Sequence, residues 1–277
     1  MKMAGRMTGG IAVSGLLLVL TGCYSSYART SQHDAGAPDV EDPHAEPDAE
    51  VACTIRETGD RVLTGIDTPS SQHHHYEFTW VGDRYAVAWD NAFEEGAPSQ
   101  VYYSSMTTDG ALLGDTTLPA DEGHESTALN PRVAWTGSLV GITWETYYPP
   151  QVIRFRSLRM LTGAPTSPSI QVNPSPGAPG HVWGIQSVMT WTGEFFAVAW
   201  PYEVTGPNAE GISLAMLDEV GNPHGVPHTF SEGYTGHPDV QGNDGSAALL
   251  WMGESNYLSM VDYEGTVAVQ SVVTSDE

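Results

Sequence analysis

An all-β fold of about four four-stranded units is what this 277-residue sequence predicts. Three observations carry the prediction. First, a Trp-bounded segment returns: WVGDRYAVAW at Trp80–Trp89, WTGSLVGITW at Trp135–Trp144 and WTGEFFAVAW at Trp191–Trp200, with a degenerate fourth copy, GNDGSAALLW, at Gly242–Trp251. The second Trp falls at 89, 144, 200 and 251, spacings of 55, 56 and 51 residues, and self-similarity at such a period marks a repeat architecture. Second, each copy is followed by another strand–turn–strand pattern. Third, no long helical periodicity appears after the apolar start of the chain.

Each copy reads as two strands around a tight turn. The flanking residues, RVAW before the turn and LVGITW after it, are β-branched and aromatic with alternation. Alternation puts Tyr85, Val87 and Trp89 on one side of a strand and Ala86 and Ala88 on the other. The small side lets a neighbouring sheet approach, and the two Trp of a copy are expected to pack across the hairpin and into that sheet. The turns VGD, TGS and TGE each carry a Gly that accepts positive φ. Segments such as VYYSSMTTDGALLGDTTL and YLSMVDYEGTVAVQSVV add two further strands, with Asp109-Gly110 the stronger turn signal and Glu264-Gly265 the weaker.

Four-stranded units repeating at this spacing suit a small β-propeller of about four blades. The repeats lie near 74–120, 130–173, 183–229 and 237–273. Their pattern resembles the Trp-rich propeller-like repeats of bacterial secreted proteins and lipoproteins, a resemblance specific for the repeat and silent on activity. It departs from the tryptophan–aspartate repeat family, because the closing Trp comes one strand too early. The sialidase box S-x-D-x-G-x-x-W is absent. Residues 52–68, ACTIRETGDRVLTGIDT, read as a spare hairpin without a Trp pair. A closed four-bladed ring is the expectation, with that hairpin over its seam; a partial ring completed by a second copy is the alternative.

Residues 1–22 read as a secretory signal: Lys2 and Arg6, the run IAVSGLLLVL, then small residues. The run is short for a bilayer span, which takes about 20 apolar residues. Leu20-Thr21-Gly22-Cys23 resembles the lipobox of bacterial lipoproteins. That resemblance implies cleavage before Cys23, a lipid on its sulfur and new amino terminus, and, since Tyr24 is not Asp, sorting to the outer membrane. Residues 23–50 are rich in Pro, Ala, Asp, Glu and Ser and nearly free of large aliphatics, the composition of an extended disordered tether. Residues 51–277 then form the repeat domain, long enough for one apolar core.

Cleavage leaves no Lys and 8 Arg against 34 Asp and Glu, so 8 − 34 gives a mature charge of −26. Such a chain repels phosphate backbones, and a nucleic-acid partner is not expected. With no Lys after cleavage, Schiff-base and Lys-assisted phosphate chemistry are also excluded. With Cys23 acylated, Cys53 has no intramolecular partner, so the fold rests on its core and not on disulfides.

An up-and-down blade puts its two tight turns on one face and its longer connections on the other, where ligands are expected. That long-loop face carries Tyr147, Tyr148 and Tyr202, suited to stacking on sugar rings. It also carries His124, His181 and His237, about one per blade junction, with His73, His74 and His75 before the first repeat. A ring of imidazoles suits a transition metal. The uneven spacing of these His favours hydrogen bonds to loop backbone instead, and no metal or other cofactor is expected. Asp90, Glu145 and Glu203 follow the second Trp of three repeats. Solvated loop acids are the default in so acidic a chain; calcium ligands or a paired glycosidase acid and base are the chemical alternatives. There is no G-x-S-x-G, H-E-x-x-H, G-x-x-x-x-G-K-[ST] or C-x-x-C motif. The expectation is a lipid-anchored cell-envelope binding module for a protein or glycan. A carbohydrate-acting hydrolase and a scaffold subunit of an envelope complex compete with it.

Overall fold

A computed structural model describes residues 75–91, 98–117, 127–146, 152–173, 187–203, 210–230, 238–253 and 255–273. The chain divides into two compact units, Met1–Val62 and Leu63–Glu277, and all of these residues belong to the second. The signal segment, Cys23, the tether and the hairpin 52–68 lie outside the described residues.

Among the described residues, sixteen strands form four antiparallel four-stranded sheets. The first blade holds β1 (Tyr76–Trp80), β2 (Tyr85–Asn91), β3 (Gln100–Met106) and β4 (Leu112–Thr117). The second holds β5 (Ala128–Trp135), β6 (Leu139–Thr146), β7 (Val152–Arg159) and β8 (Ile170–Gln171). The third holds β9 (Val188–Trp191), β10 (Phe196–Glu203), β11 (Glu210–Leu217) and β12 (His228–Phe230). The fourth holds β13 (Asp239–Asn243), β14 (Ser246–Met252), β15 (Asn256–Asp262) and β16 (Val267–Val273). Every sheet is ordered as its strands follow in sequence, as the repeat pattern predicts for an all-β propeller.

The Trp hairpins turn on Gly82, Gly137 and Gly193, whose φ angles are 98°, 101° and 103°. Each is the first of two central residues, the place a type II′ hairpin reserves for Gly. Pairing Trp80 with Tyr85 and Trp89 with Tyr76 puts the two indoles of a copy at opposite ends of the hairpin. They therefore do not meet across it, contrary to the sequence expectation. The first indole packs on the residue opening the next strand, Trp80 on Tyr85 at 5.0 Å and Trp191 on Phe196 at 4.7 Å between ring centroids. The second enters the joint between blades, where Trp144, Trp200 and Trp251 are fully buried.

Every joint sets a face that is small along the second strand of one blade against the large face of the next. Ala86, Ala88, Val101 and Tyr103 meet Val133, Val140, Ile142 and Trp144 between the first two blades. Ala134, Ile153 and Phe155 meet Met189, Phe196, Val198 and Trp200 between the second and third. Ala197, Ala199, Ile212 and Leu214 meet Val240, Ala247, Leu249 and Trp251 between the third and fourth. At Gly141 the approach is so close that a Cβ would lie 2.6 Å from the Phe196 ring. No fourth cluster joins the last blade to the first among the described residues. Phe78 is 48% exposed there, where its register equivalents Val133, Met189 and Val240 are 3%, 7% and 3%. On the fourth blade Leu250 and Met252 face outward, 44% and 51% exposed.

Candidate functional site

The first strands of the blades, β1, β5, β9 and β13, run side by side as the inner wall of the propeller. Between them lies a cavity of about 270 Å³. Aligning the copies on Trp80, Trp135, Trp191 and Gly242 sorts its lining into tiers. An aromatic tier offers Trp135 and Trp191; a largely polar tier offers Thr79, Thr190 and Gln241 with Ala134 among them; an apolar tier offers Phe78, Val133, Met189 and Val240. Gly242 has no side chain because the third blade fills its place: a Cβ there would meet the Trp191 carbonyl oxygen at 2.3 Å. Thr190 Oγ1 accepts the Gly242 N–H at 3.2 Å, tying two walls of the cavity together.

Below the apolar tier comes an ionic one, with Glu77, Arg132, Val188 and Asp239 at matching positions. Arg132 Nη1 donates to Glu77 Oε2 at 2.8 Å across the first joint. Its Nε donates to the Ser187 carbonyl at 2.7 Å across the second, so one side chain pins three blades. Glu77 Oε1 also accepts the Val133 N–H at 3.4 Å. Burial holds the Glu77 carboxyl above its ordinary pKa, and the guanidinium of Arg132 opposes that shift without cancelling it.

Two of the acids that follow the second Trp, Asp90 and Glu145, are not solvated. Asp90 is fully buried; its Oδ2 accepts the Asn130 N–H at 3.0 Å and its Oδ1 the His75 N–H at 3.2 Å. His75 Nδ1 lies 3.5 Å from Asp90 Oδ2. Glu145 is 1% exposed. Its Oε1 accepts both the N–H and the hydroxyl of Ser187, at 2.8 and 2.9 Å. Its Oε2 faces Asn130 Nδ2 at 2.6 Å. Burial pushes its pKa up to about 7, against the lowering effect of these hydrogen bonds and of Arg132. Both carboxyls thus act as latches, each reaching from the second strand of one blade to the entry of the next. A bulge in the β5–β6 pairing between Leu129 and Arg132 turns Asn130 toward them, with its backbone at φ 52°. At the third joint the equivalent residue is Pro201, which carries no carboxyl. Among the described residues no group of three or more His, Cys, Asp or Glu is placed to hold a metal ion.

Of the residues singled out from sequence, Cys23, His124, His181, His237, Tyr147 and Tyr148 lie outside the described residues, as do His73 and His74. Tyr202 is described and is buried: it packs in the joint between the second and third blades, its ring over Gly211. That corrects its assignment to an exposed stacking surface, because alternation along β10 gives Tyr202 the same side as the buried Trp200. Asp90 and Glu145 are likewise corrected from loop acids to strand-end latches. Sequence reading missed Glu77, Arg132 and Thr190. The signal was present in the residues leading to the first Trp of each copy, where aligned positions read Glu, Arg, Val and Asp.

No family model and no curated protein matches this chain. Among solved structures it is similar to a family 43 endo-arabinanase from Bacillus licheniformis, at 14% identity over 73% of each chain with a TM-score of 0.39. It is similar to a family 117 glycoside hydrolase from Zobellia galactanivorans, at 9% identity over 71% of this chain and 67% of that one, TM-score 0.44. It is also similar to a Trypanosoma rangeli sialidase, at 11% identity over 79% of this chain and 39% of that one, TM-score 0.46. Likeness of this degree assigns no activity, which is argued from the site itself.

Proposed function

We propose that this chain is a carbohydrate-binding propeller, held at the cell envelope by a lipid on Cys23 and by the acidic tether of residues 23–50. The axial cavity is the observation that carries the reading. A sugar ring has an apolar C–H face and a rim of hydroxyls. Trp135 and Trp191 supply an aromatic surface for the first, and Thr190, Gln241 and Glu77 supply hydrogen-bonding groups for the second. The size suits a single sugar unit at a chain end and not an extended polymer. A glycan array on residues 51–277 tests this. Binding that disappears in Trp191→Ala supports it, and binding indifferent to that change removes the cavity from the account. For the anchor, labelled palmitate should enter the wild type and not Cys23→Ala; equal labelling would discard it.

Hydrolysis is the second reading, and one observation favours it: Glu77 lines the cavity with a carboxyl that burial holds above its ordinary pKa, the direction a general acid requires, and its ion pair with Arg132 must open for it to act as one. A glycosidase needs a second carboxyl about 5–9.5 Å away across the bond, and Asp90 and Glu145 are committed to backbone and Asn130. Turnover of chromogenic aryl glycosides that vanishes in Glu77→Gln would establish it; turnover surviving that change would exclude Glu77.

A further inference from the structure

We propose that Glu145 is a proton-operated latch between the second and third blades: as a neutral acid it closes the joint, and on ionising it loosens the entry of β9 into the inner wall. The inference is independent of what the cavity binds. It starts from burial. Glu145 is enclosed by the joint, and each group that hydrogen-bonds to it is neutral: the Ser187 amide, the Ser187 hydroxyl and the Asn130 side chain. The cation closest to the network, Arg132, spends its guanidinium on Glu77 and on the Ser187 carbonyl. A carboxylate sealed away without a paired cation is disfavoured against its neutral form.

The contact with Asn130 points the same way. At 2.6 Å it is short for an amide N–H on oxygen and ordinary for an O–H on oxygen. Asn130 Oδ1, at the other end of that amide, is buried without a donor. A half-turn of the amide exchanges the two ends. Oδ1 then receives the Glu145 proton at the same separation, with Nδ2 on the side Oδ1 held. Glu145 Oε1 keeps both bonds from Ser187, so the neutral latch spans Asn130, Glu145 and Ser187 without a buried charge.

Ionisation reverses this. The proton leaves to solvent, the amide turns back, and a negative charge remains inside the joint. The charged and titratable neighbours are Arg132 on β5, which favours the anion, and Asp90 and Glu77 from the first blade, which oppose it, with His75 ahead of β1. Arg154 on β7 pairs with Trp144 and so lies on the opposite face of the sheet. The described side chains of β9 bring no charge. The direction follows from linkage: a carboxyl whose folded-state pKa is raised stabilises the fold most below the ordinary range near 4.5, and that contribution is lost as pH rises toward about 7.

The test compares the thermal midpoint of the full chain from pH 5 to pH 8 with that of Glu145→Gln. The wild type should lose several degrees over that range and the variant should not, because Gln is neutral throughout. Parallel curves for the two proteins would overturn the proposal. If Glu145→Gln does not fold, Ser187→Ala decides. It removes a donor to the carboxylate, so the Glu145 carboxyl carbon followed by NMR should titrate above the wild-type midpoint near 7. A midpoint unmoved, or in the ordinary carboxyl range, would overturn it equally.

Discussion

The first blade and the third carry nearly the same hairpin, WVGDRYAVAW against WTGEFFAVAW, yet meet different surroundings. In the third, the large face of the hairpin is sealed against the second blade, and Phe196, Val198 and Trp200 are fully buried. In the first, no described blade covers that face: of the matching residues Val87 is buried but Tyr85 and Trp89 only half-buried, and Tyr76, Phe78 and Trp80 opposite them stand partly in solvent. Sequence specifies the hairpin; its position in the series decides whether its aromatic face becomes core. The same residue type therefore carries very different weight in the two copies.

The widest separation is expected from removing an indole. Trp200→Ala should cost about 3–5 kcal/mol in denaturant unfolding, the range for a large buried aromatic, whereas Trp89→Ala, at the matching position of the first blade where the indole is only half-buried, should cost less. Equal losses would end the distinction between the blades. Next comes the joint itself. Gly141→Ala forces Phe196 and Phe155 away from contacts of 2.6 and 2.9 Å and should cost about 1–3 kcal/mol. Gly137→Ala meets nothing within 4 Å and pays only for its φ of 101°, about 1 kcal/mol. A latch comes third. Asp90→Ala should destabilise by about 1–3 kcal/mol, because the Asn130 and His75 amides lose their acceptor. Smallest of all is Arg84→Ala. It breaks the exposed pair with Asp83 and should leave the thermal midpoint where it is.

The blades were legible in the sequence because a period-two pattern and a recurring Gly survive in each copy. Tyr85, Val87 and Trp89 share one face, and Ala86 and Ala88 the other, as alternation requires. Register was less legible. The spacing of Trp80 and Trp89 suggests two rings facing each other, and only the pairing of Trp80 with Tyr85 shows that they sit at opposite ends. The site was hardest to read. Glu77 and Arg132 are 55 residues apart, and their ion pair exists only because adjacent blades bring matching positions of β1 and β5 together. Asp90 and Glu145 looked like loop acids because the strands were expected to stop at Trp. One further residue of pairing, Asp90 with Val101 and Glu145 with Ile153, takes them inside.

The three joints among the described residues are made between blades adjacent along the chain, and each uses the same small-on-large packing. Assembly can therefore proceed like a zipper, each hairpin pair docking on the one before it, with little loop entropy to overcome at each step. The middle blades, flanked on both sides, should open last in hydrogen exchange, and the first and fourth, each held on one side only among the described residues, should fray first.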